Sequence, residues 1–304
     1  MQSKPQQPTN KHHYIPVFYT SGWTRQNFLY EYGKRQHGKV LPRKTSPDGT
    51  GYAKGLYELK GFPAELSQQV EEGFFKLIDG LASQALSKLR SGCSMALLSV
   101  DEKSSWSRFI ISMLLRCPED VEEMRRKWDH NFERVDPALE LQFARTGRHE
   151  DRFTLVNTLS NIDPIRREKY LFEAFLPLID NKRIGETLNG MAWRVLDLSS
   201  SSHALLTSDR PVLRTNNFID HDSHIVVPIS PTQLFVAVKE IEVLDDISRI
   251  SPNQLVRAVN RASVCSAVKF VWSSDTAQSN FIKKHFSTVQ QDRLVSHILK
   301  DERA

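Results

Sequence analysis

The chain has 304 residues, 39% of them hydrophobic and 25% charged, an apolar share above that of a disordered polypeptide. Its longest apolar run, Phe109 to Leu115, is broken by Ser112 and falls well short of the roughly 20 residues that cross a bilayer, while the lack of any short repeat excludes collagen-like and coiled-coil readings. Formal net charge is +5, and it is unevenly spread: the first 60 residues carry 10 Lys+Arg against 3 acids, and the remaining 244 sum to −2. Such asymmetry points to a polyanionic partner, nucleic acid or another acidic surface.

In chain order, residues 1–10 read as a disordered, Gln/Pro-containing leader with no hydrophobic signal segment. An aromatic, β-prone stretch follows from Tyr14 to Tyr32. Gly33-Lys34 and Gly38-Lys39 bracket the turn of a short hairpin that ends at Val40-Leu41. Arg43 to Gly55 reads as a polar loop and Leu56 to Leu59 as a brief strand. Apolar residues at three- and four-residue spacing predict a helix over 64–90, stopped by Ser91-Gly92. Ser99 and Glu102 form a capping box for a helix that buries Trp106, Phe109, Ile110, Met113 and Leu114 and is interrupted at Pro118. Asp136-Pro137 and Asp163-Pro164 each read as an N-cap followed by proline at the first helical position.

The last third changes character. Strands are expected at Trp193–Leu198 and Ala204–Thr207, then a hairpin of Ile225–Ile229 and Leu234–Val238 around Ser230-Pro231-Thr232-Gln233. A helix over 252–264, a strand at Val268–Trp272 and a polar helix over 275–287 complete the pattern. The fold class is α+β: a single domain over 11–304 in which a helical middle packs with a small mixed or antiparallel sheet built from N- and C-terminal strands.

Cys93, Cys117 and Cys265 are widely spaced with no C-x-x-C, so neither a disulfide framework nor a zinc knuckle is indicated; buried, reduced thiols in a cytoplasmic protein are expected. No Walker loop, G-x-G-x-x-G, G-x-S-x-G or H-E-x-x-H is present, which argues against NTPases, nicotinamide enzymes, ordinary serine hydrolases and zincins.

Two local patterns stand out. Lys11-His12-His13-Tyr14-Ile15-Pro16 places adjacent histidines on opposite faces of a strand, so one faces a site while the other orients it or packs beneath; the plain alternative is an exposed, non-catalytic pair. Thr207-Ser208-Asp209-Arg210-Pro211 puts an acid at a strand end, a common place for a catalytic or metal-binding carboxylate and equally a common turn. Asn260, on an otherwise apolar helix, can point a polar head into a site.

Together with Pro228-Ile229-Ser230-Pro231 and Arg116 before a helix-breaking proline, these segments resemble a bacterial family catalogued as a domain of unknown function, with an HHYxP-type motif near the start and an SDxPV motif later. The resemblance spans about residues 11–275 and implies a bacterial accessory protein with relatives on mobile elements and among anti-phage defence genes. Here Arg210 stands where many relatives have asparagine.

The resemblance implies that the two motifs meet at a strand-end cleft. His12 or His13 is then the acid/base, and Asp209 orients a histidine or joins His13 in binding a divalent cation such as Mg or Mn. Lys11, Tyr14, Lys34, Arg35, Lys39, Arg43, Ser208, Arg210 and Asn260 are the expected substrate-binding residues, the basic ones holding phosphates. The expected function is a nuclease-like defence effector. The alternatives are a non-catalytic sensor of a phage component or nucleic acid, and a nucleotide-directed hydrolase or transferase; no membrane partner is expected.

Overall fold

The structure is a computed structural model and describes residues 11–62, 67–92, 95–133, 141, 161–215, 218 and 220–290. The leader, Cys93, the Asp136-Pro137 helix start, His149 and His297 lie outside the described residues. The fold is α+β, with helices grouped in the middle of the chain and antiparallel strands before and after them.

Strands β1 (Lys11–His13) and β4 (Tyr52–Lys54) pair antiparallel, with Lys11 opposite Lys54. Between them lie the short helix α1 (Val17–Thr20) and the hairpin of β2 (Leu29–Lys34) and β3 (Val40–Thr45). The hairpin turns where the two glycine-lysine pairs place it, but β3 runs on to Thr45, into the stretch read as loop, because Arg43 finds a partner opposite it in Glu31. Leu56 to Leu59 is not a strand. Leu56, Tyr57 and Leu59 are all buried, so the segment lacks the alternation of a sheet edge, and Gly55 at φ 61° turns the chain out of β4.

The helical middle comprises α2 (Lys76–Arg90), preceded by a π-helical turn over Glu71–Phe75, then α3 (Val100–Leu115), α4 (Pro118–Glu133), α5 (Pro164–Ile179) and α6 (Lys182–Gly190). The capping box is formed: Glu102 N donates to Ser99 Oγ, and Ser99 N donates to Glu102. Asp163 caps α5 through the Ile165 amide at 2.9 Å, with Pro164 at the first helical position. Pro118 ends one helix and opens the next, where its missing N–H costs nothing.

The C-terminal strands are β5 (Ala192–Asp197), β6 (Thr207–Ser208), β7 (Leu213–Arg214), β8 (His224–Ser230), β9 (Gln233–Val238) and β10 (Val271–Ser273), with helices α7 (Ile241–Arg249), α8 (Pro252–Ser266) and α9 (Ser279–His285). They divide between two sheets. One has the order β3-β2-β10-β6, so N- and C-terminal strands do share a sheet, with Tyr32 opposite Val271 and Glu31 opposite Trp272. The other, β5-β9-β8-β7, is wholly C-terminal. The expected single sheet is therefore replaced by two four-stranded ones and the β1-β4 pair.

The largest core cluster runs from Tyr14, Tyr19 and Trp23 through Phe75, Trp106 and Phe109 to Phe235 and Trp272. A smaller cluster lies under α7 and α8, and a third joins Tyr32, Leu206 and Val271 to Ile282 and Phe286 of the α9 region. Among the described residues no helix is long and apolar enough to cross a membrane.

Candidate functional site

The histidine pair divides as strand geometry requires. His12 is fully buried, stacked on the Tyr57 ring at 5.6 Å. Its Nδ1 accepts the Tyr57 amide at 2.8 Å, which puts the proton on Nε2, donated to Gln68 Oε1 at 2.5 Å. Burial holds its pKa below the usual histidine value, so the neutral tautomer is fixed. His13 faces the other way, half-buried, with Nε2 3.4 Å from the Asp48 carbonyl and its ring edge-on to Tyr52. Burial lowers its pKa as well, leaving a neutral ring at neutral pH.

Asp209 is buried at the end of β6. Its Oδ1 accepts the Val268 amide at 2.9 Å and its Oδ2 the Lys269 amide at 2.5 Å, while its own amide donates to the Phe270 carbonyl at 3.0 Å. The carboxylate thus clamps the Ser208–Arg210 turn onto the approach to β10. Burial raises its pKa to about 6, opposed by the two amide bonds, which favour the ionised form. Ser208 Oγ accepts the Arg210 amide at 3.2 Å. The buried Arg210 side chain pairs with Asp120 and, at 3.2 Å, Glu119. Arginine at this position therefore bolts the turn to the start of α4, through bonds a shorter asparagine side chain would not reach.

The HHYIP and SDRP segments meet through one strut. Tyr57, whose amide holds His12, donates its hydroxyl to the Arg116 carbonyl at 2.6 Å, and the next residue, Cys117, donates its thiol to the Asp209 carbonyl at 3.3 Å. The PISP turn is tied in from the other side: Tyr19 hydroxyl donates to the Pro228 carbonyl at 2.6 Å, and Arg90 Nε to the Ile229 carbonyl at 2.6 Å. Tyr14 is buried beside this junction, its hydroxyl without a hydrogen-bond partner among the described residues. Burial, with Asp209 nearby, pushes its phenol well above the ordinary value.

Beneath the strut, Arg116 is fully buried, bonded to Asp79 Oδ1 at 2.9 Å and flanked by the rings of Phe75 and Phe109. Glu71, in the π-helical turn, has one carboxyl oxygen buried with no partner among the described residues, and burial lifts its pKa to about 7.

Among the described residues no group of three or more His, Cys, Asp or Glu side chains is placed to hold a metal ion. Both Asp209 oxygens are engaged by backbone amides.

The cations expected to hold phosphate sit on the β2–β3 hairpin. Lys34 and Lys39 are exposed. Arg35 and Arg43 both reach inward to Glu31, at 2.6 and 3.1 Å, where Thr50 Oγ1 also donates. Glu31 is the only acid between Phe28 and Thr45, and it is fully buried. Lys44 lies over the Phe28 ring at 4.4 Å, and Lys11 over Tyr52 at 4.7 Å. Helix α9 packs on this sheet through the hydrogen bond between the Tyr32 and Ser279 hydroxyls at 2.7 Å and shows Lys283 and Lys284 to solvent.

Helix α9 is not among the expected binding elements. Its signal is present in the sequence but is averaged away in the −2 of the remainder: residues 251–290 hold five Lys/Arg against one acid, Asp275. Asn260 belongs to that region rather than to the motif junction. Its Oδ1 accepts the Leu206 amide at 2.8 Å, and its Nδ2 donates to the Ala204 carbonyl at 2.9 Å and Gln278 Oε1 at 3.0 Å.

No curated protein and no solved structure matches the chain. A family model described as a protein of unknown function, DUF4238, matches residues 11–277, a span that takes in the histidine pair, the strut, the SDRP turn and most of the second basic segment. The chain belongs to the DUF4238 family.

Proposed function

We propose that the chain binds nucleic acid, in the phage-defence setting its motifs suggest, through the basic face made by the β2–β3 hairpin and α9. One observation carries this reading: the hairpin's only acid is turned inward and neutralised by Arg35 and Arg43, so every outward-facing charge on it is positive. Exposed lysines on a strand edge and an adjacent helix suit the phosphate backbone, whose recognition needs positive charge rather than a deep cleft. On this reading the HHYIP and SDRP segments assemble and hold the platform.

The test is fluorescence anisotropy with labelled single- and double-stranded DNA and RNA at several salt concentrations. Binding is expected to weaken with salt. Combined Lys34→Glu, Lys39→Glu, Lys283→Glu and Lys284→Glu should abolish it or flatten the log–log salt slope by up to about 4. Unchanged binding in that variant, with an unchanged melting temperature, overturns the proposal.

His13 favours a second reading, nuclease-like cleavage. It is half-buried, neutral and beside Lys11, so it is able to accept a proton near a bound phosphate. Incubation of the protein with labelled DNA, RNA and nucleotides, with and without Mg or Mn, decides it: cleavage lost in His13→Ala supports a catalytic role, and no cleavage under any condition excludes it.

A further inference from the structure

Beside α9, on α8, lies a cavity of about 480 Å³ that has no part in the motif junction. Its size is that of a small-molecule site. Arg257 and Arg261, one helical turn apart on α8, both line it, so their guanidiniums lie on one face. Neither makes a hydrogen bond or ion pair among the described residues. The floor between them is Asn260, held rigidly by the Leu206 amide and the Ala204 carbonyl, with Gln278 donating to the same carbonyl at 2.8 Å.

The remaining walls are His203, Ala277, Asn280 and the half-buried Phe281 ring. His203 is carried by a loop pinned to α8, since the Ser202 amide donates to Asn253 Oδ1 at 2.9 Å. Among the described residues no carboxylate lines this cavity. Two other cavities differ: one contains Glu119 and an Arg210 already in ion pairs, and the other contains Asp180 and Glu186.

We infer that this cavity binds a nucleoside phosphate. Two guanidiniums on one face, with no acid between them, form a fork for phosphate oxygens. Phe281 gives a ring on which a base can stack, and Asn280 offers an amide that can both donate to and accept from a base edge. A lining with two arginines and, among the described residues, no carboxylate suits the phosphate, and the fixed floor means that little ordering accompanies binding. The site stands apart from the lysines of the hairpin face and does not depend on their role. The same chemistry is found in a free nucleotide and in the phosphorylated end of a strand.

The probe is ADP carrying a fluorescent mant group, titrated with the full chain. Saturable binding is expected, displaced by unlabelled ADP and not by adenosine. The Arg257→Ala/Arg261→Ala double variant should bind about 100-fold more weakly, about tenfold for each guanidinium removed. Both residues are exposed, so its melting temperature should not change; Asn280→Ala is a second variant of the same kind. Displacement by a 5′-phosphorylated oligonucleotide but not its 5′-hydroxyl form assigns the site to strand ends, and displacement by ADP alone assigns it to free nucleotide. No saturation, unchanged affinity in the double variant, or displacement by pyrophosphate as effective as by ADP overturns the inference. Lys34→Glu and Lys39→Glu leave these readouts untouched, so failure of the basic-face proposal and failure of this one are separable.

Discussion

Replacing Asp209 by asparagine keeps the size of the side chain and removes one acceptor oxygen. In the wild-type protein both oxygens take backbone amides, Val268 at 2.9 Å and Lys269 at 2.5 Å. In Asp209→Asn one bond survives in neutral form, while the other site meets an NH₂ facing an N–H donor. Losing one charge-assisted bond and weakening the other costs about 2–3 kcal/mol, since hydrogen bonds to charged groups contribute about 1.5–3 and neutral ones about 1. Removing a buried charge whose pKa burial has raised to about 6 offsets part of this, leaving a net loss of about 1–2 kcal/mol. For a chain of 304 residues each kcal/mol lowers the melting temperature by about 1.5–2 °C, a fall of a few degrees here. The assay is thermal unfolding at pH 7.5, where a group with a pKa of about 6 is mostly ionised, run beside the nucleic-acid binding and cleavage assays. A variant that melts lower but still binds at permissive temperature supports the clamp. One that melts like the wild type and has lost cleavage refutes it, because the carboxylate would then be taking part in the reaction.

Two further outcomes follow from buried groups near the strut. Glu71, lifted to about 7 from 4.5, has a raised folded-state pKa, so its contribution to stability is present below about pH 4.5 and lost as pH rises through 7. Glu71→Gln should therefore stabilise the protein by about 1–2 kcal/mol at pH 8 and by almost nothing at pH 4.5, measured by urea unfolding at both values; destabilisation at pH 8 would show that its ionised form is needed beside Arg116. Tyr14→Phe removes a buried hydroxyl with no partner among the described residues and should be neutral or stabilising by up to about 1 kcal/mol. A destabilisation beyond about 1 kcal/mol in the same unfolding experiment would mean that the hydroxyl is hydrogen-bonded in solution.

The elements most legible in the sequence are those whose signals are local. The Gly33/Gly38 turn, the Ser99–Glu102 box and the Asp163-Pro164 start each need only a few neighbouring residues to be satisfied, and all three form. The strand expected at Leu56–Leu59 does not form, because β-prone residues buried for packing look the same in sequence as those buried in a sheet. Helices α6 and α7, nine residues each, are shorter than the roughly 11–18 residues over which a helical period is read. The site divides the same way. That His12 and His13 face opposite sides follows from strand alternation, but what holds Asp209 lies 59 and 60 residues away, and no spacing rule reports an amide that distant. The second basic segment escapes for an arithmetic reason, because its excess cancels against acidic helices when the chain is summed as a whole.

The pairing of β2 with β10 has a consequence for biosynthesis. Tyr32 lies opposite Val271, so a ribosome adding about 5–20 residues per second delivers the partner strand roughly 10–50 s after the hairpin has emerged. Through that interval Tyr30, Tyr32 and Val40 lack the C-terminal residues they pack with, Leu206, Val264, Val271 and Ile282 among them, and the hairpin is a lysine-rich ribbon with an open edge. Chaperone capture of the nascent chain and its success in folding should then depend on how quickly the last third is made. Slowing translation after residue 60, with no change in sequence, should lower the yield of folded protein.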